Sequence, residues 1–155
     1  MAELKNFTFG ASSAVITSLA IIIGLSGMPN SQVSIIAALF ILALADNISD
    51  SFGIHIYQRS ENGKDARKAT VLNFFTRLLI VLFFASFVIL FPMEYTIAFS
   101  ICFGLVIIIF LSYSIAKERK VNPHEAVVKY VLLTVLVMMA SFLLREIINK
   151  LILKQ

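Results

Sequence analysis

Five long apolar runs, at about 8–27, 33–58, 69–91, 95–116 and 126–152, constrain this chain more than any other feature. Each is long enough to cross about 30 Å of hydrocarbon as a helix rising 1.5 Å per residue. The breaks between them carry turn chemistry: Gly27, Pro29 and Asn30; Glu61, Asn62 and Gly63; Pro92; Asn122 and Pro123. Runs this long and continuous do not suit barrel strands, so the spanning element is helical, with its backbone groups satisfied inside each segment. The expected fold class is all-α: residues 1–155 as one integral-membrane domain of five transmembrane helices. Composition agrees, at 59% hydrophobic and 14% charged, where a soluble domain would be near half apolar and about a quarter charged. The lipid bilayer is thus the first expected partner. The first run is long enough to span and reads as a helix, not a cleaved leader, because GLSGMPNS is a poor cleavage site.

The connections alternate in charge. The loop after the second span holds Arg59, Lys64, Arg67 and Lys68, and the loop after the fourth holds Lys117, Arg119 and Lys120. The other two connections contain no lysine or arginine. The positive-inside rule puts the basic loops in the cytoplasm, hence the N-terminus inside and the C-terminus outside. The tail, with Arg145, Lys150 and Lys154, runs against that rule. The net charge of +4 reads as a topology signal, and with no basic stripe interleaved with aromatics a nucleic-acid partner is not expected. The compact size points to a prokaryotic plasma membrane.

The second span is unusual in its later half, ADNISDSFGIHIYQRSE, residues 45–61. Asp46 and Asp50 are four residues apart and share a helix face, with Asn47 beside them. A charged carboxylate at the centre of a membrane helix costs about 2.5–3.5 kcal/mol. Two of them must pair, protonate, bind a cation or face water. Arg77 in the third span is a candidate charge partner. It lies as far from Lys68 as Asp50 does from Arg59, so both fall about 13 Å from the boundary. An Asp50–Arg77 pair leaves Asp46 unpaired and makes it the first functional candidate. The first span offers Ser13 and Thr17, also four apart, as helix-packing hydroxyls or as oxygen donors to a cation.

Other polar residues read more plainly. His55 points away from the carboxylate stripe, as a satisfied or interfacial side chain, and His124 stands at a helix entry. The single cysteine, Cys102, reads as a small buried hydrophobe. There is no nucleophile–base pair, glycine-rich phosphate loop or metal-hydrolase motif, so an enzyme is not expected. No bound cofactor is expected either.

Several short motifs resemble the vacuolar iron transporter family. They are the first span's IIIGLSG, the second span's closing SFGIHIYQRSE and the Asn122–Pro123 step before the fifth. The resemblance runs along nearly the whole chain. It implies a homodimer of five-helix protomers with the first two spans lining a path at the interface. It further implies export of ferrous iron or manganese from the cytosol in exchange for protons. The chain departs from the family pattern at definite positions. Ser13 stands where the family has an aspartate, Thr17 matches its threonine, and Ser18 replaces its proline. Asp50 stands where the family has a methionine, and Leu42 lies near its glutamate. The connection after the second span is about ten residues, a short loop, with only Glu61 and Asp65 as acids. It therefore lacks the family's glutamate-rich, metal-gathering insertion.

Carboxylate, amide and hydroxyl donors suit magnesium, calcium or manganese. The first expectation is a transporter of divalent metal cations, iron or manganese in type, working as a proton antiporter. Asp46, Asp50, Asn47, Ser13 and Thr17 would form its metal or proton path, with Arg77 as charge partner. A second is a non-transporting membrane scaffold or partner subunit, held by Asp50–Arg77 as a structural ion pair. A third is a proton or monovalent-cation path through the same carboxylates.

Overall fold

A computed structural model describes residues 2–61 and 66–153. Within these residues it contains helices and no strand. Lys64 of the first basic loop and Lys154 of the tail lie outside the described residues.

Helix α1 (Ala2–Leu25) makes the first span. The second is one rod in three parts: α2 (Ser31–Ile41), a π-helical turn (Leu42–Asp46) and α3 (Asn47–Glu61). Helices α4 (Ala66–Leu90), α5 (Met93–Glu118) and α6 (Pro123–Ile148) complete the set, and α6 runs on into a second π turn at Asn149–Leu153. Five helices are thus long and apolar enough to cross a membrane. Each overlaps an expected run, with ends displaced by up to about six residues, which is common at helix termini.

The connections follow from their residues. Asn30, at φ 53°, takes the left-handed conformation that asparagine tolerates well and starts α2. Pro92 interrupts the chain between α4 and α5, and Thr96 Oγ1 donates to the carbonyls of Phe87 and Phe91, each at 3.1 Å, closing the end of α4. Asn122 caps α6 by accepting from His124 N at 3.1 Å, with Pro123 in the first turn, where a missing N–H does no harm. Helix α5 closes with Lys120 at φ 56°, Val121 N bonding to Ala116 O at 3.1 Å and Lys120 N to Lys117 O at 3.2 Å. That is a Schellman closure with lysine where glycine is usual.

Helix α1 is the centre of the domain. It packs against α2, α4, α5 and α6. Its Ala14, Val15, Leu19 and Ile22 are fully buried and join Ile35 and Leu39 of α2, Phe84 and Val88 of α4 and Ile108 of α5. Gly104 lets α5 close on α1: a Cβ there would lie 2.7 Å from Leu19 Cδ1. Phe83 and Phe87 of α4 meet Phe103 of α5 with ring centroids at 4.5 and 5.9 Å. Helix α6 is peripheral, with Leu132, Leu136, Leu143 and Ile147 exposed along one side.

The start of α1 lies against the early turns of α4 and α6, so these three helices run in one direction and the second span and α5 in the other. At the opposite end Arg145 of α6 donates to Ser26 Oγ at 2.9 Å and lies 4.4 Å from the centre of the Phe142 ring. Gln32 Nε2 donates to Val88 O at 2.6 Å, tying α2 to the end of α4.

Candidate functional site

The second span owes its geometry to an unusual spacing. Among the described residues its buried ones are Ile35, Leu39, Ala43, Asn47 and Ser51, a strict interval of four. An α-helix turns every 3.6 residues, so each step of four overshoots by about 40°. Four such steps would carry the last residue away from the face of the first. The π turn at Leu42–Asp46 widens the helix and holds the buried stripe on one side. Asp46 ends that turn and Asp50 stands in the first turn of α3.

Arg77 on α4 meets both carboxylates. Its Nη2 pairs with Asp46 Oδ2 and its Nη1 with Asp50 Oδ2. Nη1 also donates to Ser13 Oγ of α1 at 2.9 Å. One guanidinium therefore joins three spans. Its side chain is only 2% exposed, whereas those of Asp46 and Asp50 are 42% and 35% exposed. With both carboxylates ionised the triad carries one net negative charge, because arginine does not lose its proton in proteins. The cation is buried, and the anions sit on an open flank of the second span.

The first helix approaches closely here. A Cβ on Gly10 would lie 2.5 Å from Asn73 Oδ1 and 3.3 Å from Arg77 Cγ. Asn73, one turn before Arg77, is fully buried and its Nδ2 reaches Ser51 Oγ at 3.4 Å. Asn47 Nδ2 donates to the Phe74 carbonyl at 2.9 Å. The oxygens Asn47 Oδ1 and Asn73 Oδ1 are buried and accept no hydrogen bond among the described residues.

Three of the five expected path residues, Asp46, Asp50 and Ser13, are thus drawn together through Arg77. Asp46 is not the unpaired carboxylate that depth counting implied, since the guanidinium has two arms and takes one aspartate on each. Ser13 serves as an acceptor for Arg77. Thr17 Oγ1 instead donates to the carbonyls of Ser13 and Ala14 on its own helix, at 2.8 and 3.2 Å. Asn47 turns to the α4 backbone. Ala43 belongs to the buried stripe with Asn47 and Ser51, beside the carboxylates and not in line with them. His55 Nδ1 lies 3.4 Å from Thr70 Oγ1, an ordinary contact between α3 and α4. Cys102 is exposed, contrary to expectation, because it falls on the outer side of α5.

Sequence reasoning missed Gly10 and Asn73. The signal for Asn73 was present: it stands four residues before Arg77 in an otherwise apolar helix, and so on the same face. Among the described residues no three His, Cys, Asp or Glu side chains stand together as a metal site. Compared with protein families, with curated proteins and with solved structures, the chain has no match.

Proposed function

We propose that this protein is a membrane cation transporter in which Asp46 and Asp50 exchange a proton for a cation beside the fixed positive charge of Arg77. The observation that carries the reading is the triad itself: one buried guanidinium faced by two half-exposed carboxyl groups, two acids for one fixed cation. An excess carboxylate charge at membrane depth calls for a mobile positive one. The unpartnered Oδ1 atoms of Asn47 and Asn73 supply neutral oxygens of the kind that replaces a cation's hydration shell. Divalent metal as cargo, iron or manganese in type, rests on the resemblance, as do the homodimer and the pairing of the first two spans at its interface. A second copy over the open flank of the second span would also cover the two aspartates. The loop charges support an orientation with the N-terminus in the cytoplasm and the C-terminus outside. A prokaryotic plasma membrane is the proposed location.

The test is uptake into proteoliposomes carrying an internal pH reporter. Ferrous iron, manganese, magnesium, calcium and sodium are compared for the native chain, Asp46→Asn, Asp50→Asn and the double variant. A cation-driven pH change that is weakened in each single variant and lost in the double one supports exchange. Unchanged flux in the double variant sinks it.

A second reading is favoured by the partners of Arg77, which lie on three different elements. In that reading the triad is a structural tie in a scaffold or partner subunit. It predicts no flux of any tested ion from folded protein, and rescue of Arg77→Asp by Asp50→Arg.

A further inference from the structure

A cavity of about 300 Å³ lies between α1, α5 and α6, and neither aspartate lines it. That volume is at the small end of the range for ligand sites. The α5 wall runs from Ile108 to Arg119, about 16 Å at 1.5 Å per residue. One leaflet contributes about 15 Å of hydrocarbon, so the cavity has the length of a leaflet. Its inner end is apolar, formed by Ile16, Ile108 and Leu133. Ser12 and Ser112 stand on its walls, and Arg119 and Tyr130 are also in the lining.

Two observations point to an anionic amphiphile. Arg119 is the charged residue of the lining; it is exposed and makes no ion pair among the described residues. It caps the C-terminus of α5 just past Glu118, within the Schellman closure at Lys120, with Lys117 and Lys120 adding positive charge at the same end. Ser112 is 6% exposed, lines the cavity and makes no hydrogen bond among the described residues. Its hydroxyl opens on the cavity with no protein partner there, free to donate to an occupant.

We propose that this cavity holds one anionic glycerophospholipid. Its phosphate lies on the Arg119 guanidinium and the Tyr130 hydroxyl, an ester carbonyl accepts from Ser112, and one acyl chain runs inward along Ile16, Ile108 and Leu133. The site does not depend on the transport reading, although Ser13 is common to the cavity and to the Arg77 triad.

Native mass spectrometry of the full chain in detergent tests it, with phosphatidylglycerol and phosphatidylcholine of identical acyl chains as probes. The native chain is expected to bind the anionic lipid about fivefold more tightly, the worth of one basic group near an anionic headgroup. Arg119→Gln, at an exposed position, should bring the two lipids to parity, whereas Lys117→Gln should keep the preference. Ser112→Leu should weaken both by filling the cavity. Equal binding of the two lipids by the native chain overturns the proposal. So does a preference that survives Arg119→Gln, or one lost equally in Lys117→Gln, which would mark surface charge alone.

Discussion

Neutralising one aspartate of the triad should hardly change stability, and neutralising both should lower it a great deal. Arg77 is 2% exposed, so without a counter-charge it has no solvent to turn to. Removing every partner from a buried charge costs about 3–5 kcal/mol. Asp46→Asn leaves Asp50 to balance the guanidinium, and Asp50→Asn leaves Asp46. Each single variant also removes the excess negative charge, so its stability should stay within about 1 kcal/mol of the native chain. Arg77→Met strips the partner from two carboxylates that are 42% and 35% exposed. Their partial access to the surroundings roughly halves the penalty, to about 2 kcal/mol. At about 2–4 °C per kcal/mol for a chain of this size, melting in detergent should fall by about 6 °C or more in the double Asn variant. Arg77→Met should fall by about 4–8 °C, and each single variant by less than about 4 °C. The assay is a thermal melt read by loss of the monodisperse peak. A single Asn substitution as damaging as the double, or an Arg77→Met more damaging than both, would mean that the two aspartates do not share the Arg77 charge.

Glycine substitutions should separate close helix contacts from open ones. Gly10→Ala and Gly104→Ala put a Cβ 2.5 Å from Asn73 Oδ1 and 2.7 Å from Leu19 Cδ1, and each should cost about 1–3 kcal/mol by overpacking. Gly53→Ala meets nothing within 4 Å and should stabilise by up to about 1 kcal/mol through helix propensity; the same melts measure all three. Lys120→Gly should stabilise by about 1 kcal/mol, because it removes a side chain from a left-handed residue at φ 56°. Cys102 is exposed on a spanning helix, so in membranes it should resist a charged maleimide and react fully once the protein is denatured in detergent. Rapid labelling in intact vesicles would place α5 in contact with water and contradict its reading as a span.

Much of this architecture was legible in the sequence, because the five runs are set by apolar length and the breaks by Gly, Pro and Asn, both local properties. The Asp50–Arg77 pair was legible too, since equal distance from a charged boundary converts directly into equal depth. The second arm of Arg77 was not. Whether Asp46 or Asp50 faces α4 depends on the phase of the helix, and the π turn at Leu42–Asp46 shifts that phase without any Pro or Gly to announce it. Its mark, the burial interval of four from Ile35 to Ser51, shows only once the helix is packed. Thr17 and Ser13 look equivalent as hydroxyls one turn apart. Only the placement of α4 decides that Ser13 meets a guanidinium while Thr17 turns to its own backbone. Cys102 shows the same limit, because apolar surroundings in sequence do not separate a lipid face from a protein core.

The triad also bears on how the chain enters the membrane. Asp46 precedes Arg77 by 31 residues and Asp50 precedes it by 27. At about 5–20 residues per second of synthesis, the aspartates wait about 1–6 s for their counter-charge to leave the ribosome. During that interval the second span carries two carboxylates that hydrocarbon rejects. Its stable insertion therefore belongs with that of α4, the two entering as a helical hairpin whose opposite charges meet before either helix commits to lipid.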